Sequence, residues 1–441
     1  MAEPQSTHRL APAIAPLPPI FFLAGCFGDG RQSTIQPQSD KSRIILDVYS
    51  IVTWIDIGIF LVVFALLIYA LLRFREKKGQ ELPKQVQGNL YLELVWTLVP
   101  AVLLIFIAVP TWQGIFRIYS PPPEEALKIK SVGHQWWFEF SYPGTAVVTA
   151  NEVHLPVNKP VVFELTSTDV IHSFWVPKLA GKLDMVPAKT NTLWFVPDKE
   201  GTYLGQCAEF CGTSHANMRF RVIVESEKQY NAWFERQQKP PVPKTDDARK
   251  GQTLFTQKAC GACHTVAGVP GALGKVGPNL TALKDRATLA SGIMENTPAK
   301  LASWIMEPKK HKPGALMILP IPVSEQESKQ IAAFLLSEPG DPAPPTSSMT
   351  AGGGAVDPAR GREIFMTACI ACHGDDPARD GALGPAIKGS SRALLAARLE
   401  FGNGDFSKSY PPGYTPKRDT RIMPPFPDLK GDIAALAEFL K

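Results

Sequence analysis

Cysteine is scarce in this sequence, which has seven in 441 residues. Six occur as three closely spaced pairs and the seventh ends an apolar N-terminal segment, so none is left for a structural disulfide framework. They are Cys26, Cys207, Cys211, Cys260, Cys263, Cys369 and Cys372. Histidine is scarce too, with eight in the chain, which limits the number of sites that imidazole ligands can fill.

A strong excess of one charge is also absent. The 46 basic and 41 acidic side chains leave a net charge of +5 and a pI near 8.7. The basic residues are dispersed and no nucleic-acid-binding motif accompanies them, so the balance is typical of a solvated surface with some membrane-flanking lysines. A chain of 48.2 kDa is too long for one ordinary core, and several domains are expected.

Long apolar runs are present twice. Trp54 to Leu72 has one charged residue and Leu94 to Trp112 has none, and each run of 19 residues matches a hydrocarbon thickness of ~30 Å. The runs therefore predict two membrane-spanning helices rather than buried core helices. The loop between them is rich in lysine and arginine, which places it on the cytoplasmic side and both termini outside.

The N-terminal segment, residues 1–26, has an apolar stretch that ends in LAGC. It resembles a bacterial lipoprotein signal, in which cleavage before Cys26 leaves a lipid-bearing N-terminus. Prolines in and near the apolar part depart from that pattern. An unprocessed N-terminus with a free thiol is therefore the alternative.

Soft metal ligands are concentrated on one loop, residues 205–218 (GQCAEFCGTSHANM). This loop carries two thiols, an imidazole and a thioether, and the earlier segment TSTDVIHSFWVP adds a second imidazole. The five residues are Cys207, Cys211, His215, Met218 and His172. Thiolates and a weak methionine ligand beside histidine favour copper.

Two thiolates can bridge two copper ions, each of which then needs one histidine and one weak ligand. Met218 can be the weak ligand of one copper, and the backbone carbonyl of Glu209 that of the other. Two further interpretations stay open from the residues alone. A Cys/Cys/His/His zinc site fits the spacing, and Cys207 and Cys211 could form a disulfide in an oxidising compartment.

The region around this loop, residues 127–224, consists of short runs rich in Val, Phe, Trp and Thr that are separated by Pro, Gly and Asn. This pattern predicts a β-sandwich or barrel. A helix is expected at 226–238, followed by the proline-rich hinge KPPVPK. Residues 339–357 are rich in Pro, Gly and Ser and read as a second linker.

The C-terminal part contains a repeat: ARKGQTLFTQKACGACHTV at 248–266 recurs as PARGREIFMTACIACHGDD at 358–376. Each copy carries CxxCH, the attachment motif of c-type haem, and a zinc-binding or redox CxxC is the alternative. The motif residues are Cys260, Cys263 and His264 in one copy and Cys369, Cys372 and His373 in the other. Methionine on the opposite haem face would come from Met317 and Met423, with His311 as a weaker alternative in the first copy.

Three separated motifs, VGHQWWFEFSYP at 132–143, TSTDVIHSFWVPKLAGKLDMVP and the 205–218 loop, together resemble the dinuclear copper domain of cytochrome c oxidase subunit II. The resemblance covers roughly residues 46–225 and implies a cupredoxin-like Greek-key barrel. It implies a dinuclear copper (CuA) site held by His172, Cys207, the Glu209 carbonyl, Cys211, His215 and Met218. Both CxxCH repeats resemble small class I cytochrome c domains.

Three more roles come from the resemblance alone. The Glu209 side chain would reach a magnesium or manganese ion at the border with subunit I. Trp136 would lie on the surface through which electrons enter. Glu93, in LELVWTLVP, would assist proton uptake toward the catalytic subunit; its alternative is an ordinary charged residue at a helix end.

The expected molecule is a multidomain membrane protein with two transmembrane helices, the cupredoxin-like barrel and two all-α cytochrome c domains. The expected segments are a signal segment 1–26, a helical hairpin 44–116, a copper domain 125–238, cytochrome c domains 246–338 and 358–441, and a linker 339–357. Its expected place is the bacterial inner membrane, with the copper and haem domains on the periplasmic face.

The expected function is that of subunit II of a haem-copper terminal oxidase. An upstream donor, cytochrome c or a quinol:acceptor complex, would supply electrons through two c-type haems and the copper pair to subunit I. With two spanning helices and few histidines, no catalytic oxygen site is expected on this chain. The alternatives are an electron-accepting subunit of a CuA-containing nitric oxide reductase and a stand-alone membrane-tethered electron shuttle. A quinol oxidase subunit would lack the copper ligands.

Overall fold

The computed structural model describes residues 30–75, 87–340, 357–374, 376–380, 385–401, 429 and 432–441. Two long helices come first, α1 (Asp40–Arg73) and α2 (Leu90–Ile118). A capping box between Ser39 and Ser42 begins α1, and the Asn89 side chain caps α2 by accepting from two backbone amides. Both helices are long and apolar enough to cross a membrane.

Helix α1 is longer than the apolar run that predicted it, because its first turn packs on the β-domain. Its 34 residues span about 51 Å, well beyond the bilayer core. The Asp40 carboxylate accepts from the backbone N of Val196 at 2.8 Å, and the backbone N of Gln38 donates to Lys178 O at 2.8 Å. Lys41 and Ile44 are buried at this junction. The hairpin and the β-domain are therefore joined by specific contacts as well as by the chain.

Ten strands form the β-domain. They are β1 (Leu127–His134), β2 (Trp137–Ser141), β3 (Val148–Ala150), β4 (Glu152–Pro156), β5 (Val161–Ser167), β6 (His172–Trp175), β7 (Leu183–Met185), β8 (Asn191–Phe195), β9 (Gly201–Cys207) and β10 (Arg219–Glu225). They make two five-stranded sheets, ordered β3-β2-β1-β5-β8 and β4-β10-β9-β6-β7. Pairs β1–β5 and β4–β10 are parallel and the others antiparallel.

The core between the two sheets is aromatic. Alternation of buried and less buried residues along the strands points one side chain in two inward. Phe138, Phe163, Phe174 and Phe220 are fully or almost fully buried there, with several ring centroids 4.6–4.9 Å apart. This packing joins β2 and β5 of one sheet to β6 and β10 of the other, and β6 and β10 lie on either side of β9, whose last residue is Cys207.

The first CxxCH domain is helical. After α3 (Glu227–Gln237) it contains α4 (Asp246–Gln257), the two-stranded ribbon β11 (Thr288–Leu289) and β12 (Met294–Glu295), α5 (Pro298–Met306), α6 (Pro308–His311) and α7 (Glu325–Leu335). Helices α4 and α7 cross closely at Gly251, where a Cβ would lie 1.9 Å from the Gln330 carbonyl oxygen. Only glycine allows that approach.

The second CxxCH domain repeats this crossing. It contains α8 (Pro358–Ile364), a π-turn at Phe365–Cys369, α9 (Ile370–His373), α10 (Arg392–Phe401) and α11 (Ile433–Phe439). A Cβ at Gly361 of α8 would lie 2.0 Å from the Ala435 carbonyl oxygen of α11. The sequence repeat therefore corresponds to a structural one, in which the helix before CxxCH packs on the terminal helix of its domain.

Candidate metal and haem sites

The register of strands β6, β9 and β10 brings the soft ligands of the 205–218 loop close to His172. Cys207 is the last residue of β9, and it pairs with Phe174 of β6, two residues after His172. The loop then returns through a 3₁₀ turn at His215–Asn217 to β10. The backbone N of Cys207 donates to Met218 O at 2.9 Å, which closes the loop at its base.

The two thiols lie side by side and each has a histidine close to it. The sulfur atoms of Cys207 and Cys211 are 3.8 Å apart and are not joined by a disulfide. The Nδ1 atom of His172 lies 3.9 Å from the Cys207 sulfur, and the Nδ1 atom of His215 lies 3.5 Å from the Cys211 sulfur. Two sulfur atoms that bind the same tetrahedral metal ion, with bonds of about 2.3 Å, lie about 3.8 Å apart. The distance between the two thiols is therefore compatible with thiols that bridge metal ions.

The weak ligands complete the set. The Met218 sulfur lies 3.8 Å from the Cys211 sulfur, and the Glu209 carbonyl oxygen lies 3.2 Å from the Cys207 sulfur. Both thiols and Met218 are buried, so a metal held by them would be shielded from water. The donor chemistry, two thiolates with imidazoles and a thioether, suits copper.

The geometry disfavours a single zinc ion. Ligand atoms of His172, Cys207 and Cys211 all lie within 4.8 Å of one another. Among the residues that the structure describes, His215 is not part of that set, although one tetrahedral ion would need all four atoms at this distance. Two metal ions that share the thiols and take one histidine each fit the arrangement better.

Asp169 orients His172, and the sequence prediction did not include it. Its Oδ1 lies 2.8 Å from the Nε2 of His172, which leaves Nδ1 for a metal. Burial lowers the pKa of His172, but the bonds to Asp169 and Cys207 outweigh burial and the net shift is upward. A carboxylate behind a ligating histidine raises the basicity of the ligand. Its position three residues before His172 in TSTDVIH was the available signal.

The thiol pair shares a proton in the metal-free protein. The hydrogen bond from Cys211 lowers the pKa of Cys207 to about 3, against the opposing effect of burial. The same bond and burial raise the pKa of Cys211 well above its ordinary value. Metal binding would displace that proton, because the thiolate is the metal ligand.

Trp136 lies against the ligand loop. Its indole Nε1 donates to the Cys211 carbonyl at 2.9 Å, and the Gln135 side-chain amide donates to the same oxygen at 2.8 Å. The Trp136 indole is therefore hydrogen-bonded to the backbone of Cys211, the residue that carries one of the two thiols. Gln135 is a second contact that sequence reasoning missed.

Both CxxCH histidines are held in the same way. The Nδ1 atom of His264 donates to the Pro278 carbonyl at 2.8 Å, and that of His373 donates to the Pro385 carbonyl at 2.7 Å. Each proline belongs to the GP pair that follows its motif. Because Nδ1 is the donor, Nε2 is left for iron, and burial lowers the pKa of both imidazoles.

The first domain has a buried positive charge that suits a haem. A Cβ at Gly277 would lie 2.4 Å from the Cε1 of His264, so glycine is needed beside the imidazole. Arg286 is buried, its pKa is lowered to about 10 by burial, and its Nε has no hydrogen-bond partner within the described part of the chain. A buried unpaired guanidinium nitrogen suits an anionic group such as a porphyrin carboxylate.

The remaining predicted residues are placed less closely. Met317 lies in a partly exposed loop between α6 and α7, and His311 Nε2 is engaged with Ser303 Oγ at 2.7 Å. Glu93 lies in the first turn of α2, where its Oε1 accepts from the backbone N of Asn89 at 3.3 Å. Outside the described residues lie Cys26, Met423 and the side chain of Cys372.

Sequence models of three domains match the chain. The transmembrane domain of cytochrome c oxidase subunit II matches residues 34–113, the periplasmic domain of the same subunit matches 144–226, and cytochrome c matches 248–338. These matches confirm the predicted fold class of two apolar helices, a cupredoxin-like domain and a helical cytochrome c domain.

Relatives that align over most of their own length agree with the domain matches. Cytochrome c oxidase subunit 2 of Alkalihalophilus pseudofirmus is 38% identical over 72% of this chain and 93% of its own length. The subunit of the same name from Bacillus sp. strain PS3 is 34% identical over 67% and 88%. Quinol oxidase subunit 2 of Bacillus cereus is 31% identical over 55% of this chain and 84% of its own length.

Proposed function

The chain belongs to the cytochrome c oxidase subunit II family and carries a fused cytochrome c domain, and from this premise we propose that it holds a dinuclear copper centre and two c-type haems. These would make it the subunit through which electrons enter a haem-copper terminal oxidase. The two apolar helices anchor it, and its copper and haem domains would face the periplasm of a bacterial inner membrane.

The observation that carries the copper proposal is the paired arrangement of the ligand atoms. Cys207 and Cys211 are 3.8 Å apart without a disulfide, and a different histidine approaches each sulfur. The ligands would be His172, Cys207, the Glu209 carbonyl, Cys211, His215 and Met218. The burial of both thiols and Met218 would keep water from the site, and strands β6, β9 and β10 would fix the ligand positions before any metal binds.

The haem proposal rests on the repeated CxxCH geometry. The thiols of Cys260 and Cys263, and of Cys369 and Cys372, would bind one porphyrin each, with His264 and His373 as iron ligands. Met317 and Met423 would be the ligands on the opposite faces. When bound, haem iron and the copper pair supply centres that accept and release one electron at a time.

The catalytic site for oxygen would lie on subunit I, with which this subunit would associate in the membrane. Trp136 would lie where electrons enter the copper site, and the Glu209 side chain would reach a magnesium or manganese ion at the border with subunit I. Glu93 would assist proton uptake. The donor would be a soluble cytochrome c or a quinol:acceptor complex.

A quinol oxidase subunit is one alternative, because a quinol oxidase subunit 2 is 31% identical over 55% of this chain. The copper ligand set favours the cytochrome c oxidase type. A nitric oxide reductase subunit would carry the same ligands and would be distinguished by turnover of nitric oxide rather than oxygen. A stand-alone shuttle would purify without subunit I.

Metal and haem analysis of the full chain purified from membranes tests the proposal. Two copper ions with a mixed-valence electron paramagnetic resonance spectrum, and two haems that stay attached after denaturation, are the expected result. A preparation that contains zinc only, or a Cys207–Cys211 disulfide in the protein as isolated, would overturn the copper assignment. A single covalent haem would overturn the second haem assignment.

A further inference from the structure

The indole ring of Trp136 is covered by the first CxxCH domain. The residue is 8% exposed, and the segment that covers it comes from the loop after α6. A Cβ at Gly314 would lie 3.0 Å from both Cη2 and Cζ3 of the Trp136 ring, and 3.3 Å from Thr213 Cβ. Gly314 has a φ of +79°, which glycine adopts without strain. The backbone of this loop therefore lies directly on the indole.

A cluster of hydrogen bonds lies next to the indole ring of Trp136. The Trp136 carbonyl accepts from the Lys312 ammonium at 2.5 Å and from the Ser291 hydroxyl at 2.8 Å, and Lys312 also donates to Ser291 Oγ at 2.8 Å. Lys312 is 4% exposed. The Ser214 hydroxyl, from the ligand loop, donates to the Pro313 carbonyl. The two residues that precede Gly314 thus both bind the copper domain.

A second patch holds the same two domains together. The buried carboxylate of Glu152, on β4, accepts from the backbone N of Ala287 at 3.0 Å, the backbone N of Thr288 at 2.9 Å and the Thr288 hydroxyl at 2.7 Å. If the domains separated, Glu152 would lose all three donors and Lys312 would lose its acceptors. Hydrogen bonds to charged groups typically contribute more than those between neutral groups, and their presence at two separate patches favours one fixed arrangement over a mobile tether.

The second CxxCH domain contacts the first at its motif. Ile370, inside the second CxxCH, packs in a small buried cluster with Ala259 and with Ala262, inside the first CxxCH. The contacts therefore run from the second motif to the first motif, and from the first domain to Trp136 and the ligand loop.

We propose that the first CxxCH domain is permanently docked over Trp136 by Lys312 and Gly314, so that a separate donor protein cannot dock on this face and is received by the second CxxCH domain. The inference rests on the proposed role of Trp136 in electron entry to the copper site. In this chain Lys312 and Gly314 are positioning residues. They hold one domain on the surface that a soluble partner would otherwise need.

Lysine acylation of the purified full chain, followed by mass spectrometry, tests the docking without relying on turnover. Lys310 lies two residues from Lys312, and its side chain is 68% exposed, so it is an internal reference. If acylation of Lys312 requires the domains to open, it should be about tenfold or more slower than that of Lys310. Equal rates in the unmodified chain would overturn the proposal.

A matched pair of glycine variants separates undocking from backbone strain. Gly314→Val would place a branched side chain against the Trp136 ring and should expose Lys312 to acylation. Gly144→Val has the same strain, since Gly144 has a φ of +80°, but a Cβ there meets nothing within 4 Å. It should leave Lys312 protected. Hydrogen exchange at the α4–α7 crossing reports whether the Gly314→Val domain itself remains folded. With that domain folded, a Lys312 that stays protected would contradict the proposal.

Carbodiimide cross-linking to a soluble class I cytochrome c tests where a donor docks. Cross-links to residues 357–441 are expected for the unmodified chain, and cross-links to the 205–218 loop are expected only after Gly314→Val. Cross-links to that loop in the unmodified chain would overturn the exclusion. Copper and haem content, measured on the same samples, report the proposed function separately, because Lys312 can be protected whether or not the metal sites are filled.

Discussion

The Oδ1 atom of Asp169 lies 2.8 Å from the Nε2 atom of His172, on the side of the imidazole that faces away from the thiols. The carboxylate therefore selects the ring nitrogen that remains for a metal and strengthens its basicity. Partners of this kind commonly affect metal affinity nearly as much as the ligands do.

We expect Asp169→Asn to weaken copper binding about tenfold to a hundredfold, because the amide keeps the shape of the side chain but loses its charge. Competition with a copper chelator measures the affinity. Asp198→Asn is the matched control, since Asp198 lies on the same domain as Asp169, pairs with Arg43 of α1 and has no contact with the ligand loop among those described. Equal affinities for the two variants would mean that Asp169 does not support the site.

Met218→Leu should change the copper spectrum and leave both haem spectra intact. Met218 is fully buried with its sulfur 3.8 Å from that of Cys211. Leucine has a similar volume, so the packing cost should stay below about 1.5 kcal/mol, while the weak sulfur ligand is lost. Visible and electron paramagnetic resonance spectra provide the measurement. Met294→Leu, in the first CxxCH domain, should change neither centre, and an unchanged copper spectrum in Met218→Leu would remove Met218 from the ligand set.

Gly251→Ala and Gly361→Ala should each destabilise their own domain, by about 1–3 kcal/mol or more. The added methyl at each position would overlap a carbonyl oxygen of the terminal helix, at 1.9 Å and 2.0 Å respectively. Faster hydrogen exchange should appear in α4 and α7 for Gly251→Ala, and in α8 and α11 for Gly361→Ala. Gly58→Ala, at an open position of α1, should change neither pair of helices. Identical exchange profiles for all three variants would contradict the close crossings.

Features that depend on residues close together in the chain could be predicted from the sequence. The apolar runs predicted both long helices, and the ligand loop and the two CxxCH motifs contain their chemistry within a few residues. The β-rich pattern gave the class of the central domain, but the strand order depends on pairing between distant segments. The helix of residues 40–73 begins well before the apolar run because its polar first turn is stabilised by the β-domain, which composition does not reveal.

The contacts between domains could not be predicted from the sequence, because they join residues that are far apart in the chain. Ser291 and Lys312 reach the Trp136 carbonyl across 155 and 176 residues of chain, and nothing in either segment alone indicates the other. Glu152 and Thr288 are similarly distant. The opposite-face haem ligand of the first domain was ambiguous because several methionines follow its motif, whereas Met423 is the one methionine after the second motif. Met317 and Met423 stay predictions.

The docking of the first CxxCH domain should strengthen as the pH rises above neutrality. Burial lowers the pKa of Lys312 from its ordinary value of 10.5 to about 7 in the docked domain, against a smaller upward effect of Cys211. An undocked, solvated Lys312 would keep its proton up to its ordinary pKa. Between these two values undocking takes up a proton, so the docked state gains stability with rising pH.

One titrating lysine can change the free energy of docking by at most about 1.4 kcal/mol per pH unit, which is about tenfold in the opening equilibrium. Hydrogen exchange at the amides of Ala287 and Thr288, which donate to Glu152, follows opening at a patch apart from Lys312 once the intrinsic pH dependence of exchange is divided out. Protection should rise from pH 7 to pH 10 in the unmodified chain and stay level in Lys312→Met, whose side chain cannot titrate. The same rise in both proteins would assign the effect to another group, and a fall in the unmodified chain would mean that the buried ammonium stabilises docking as a charge.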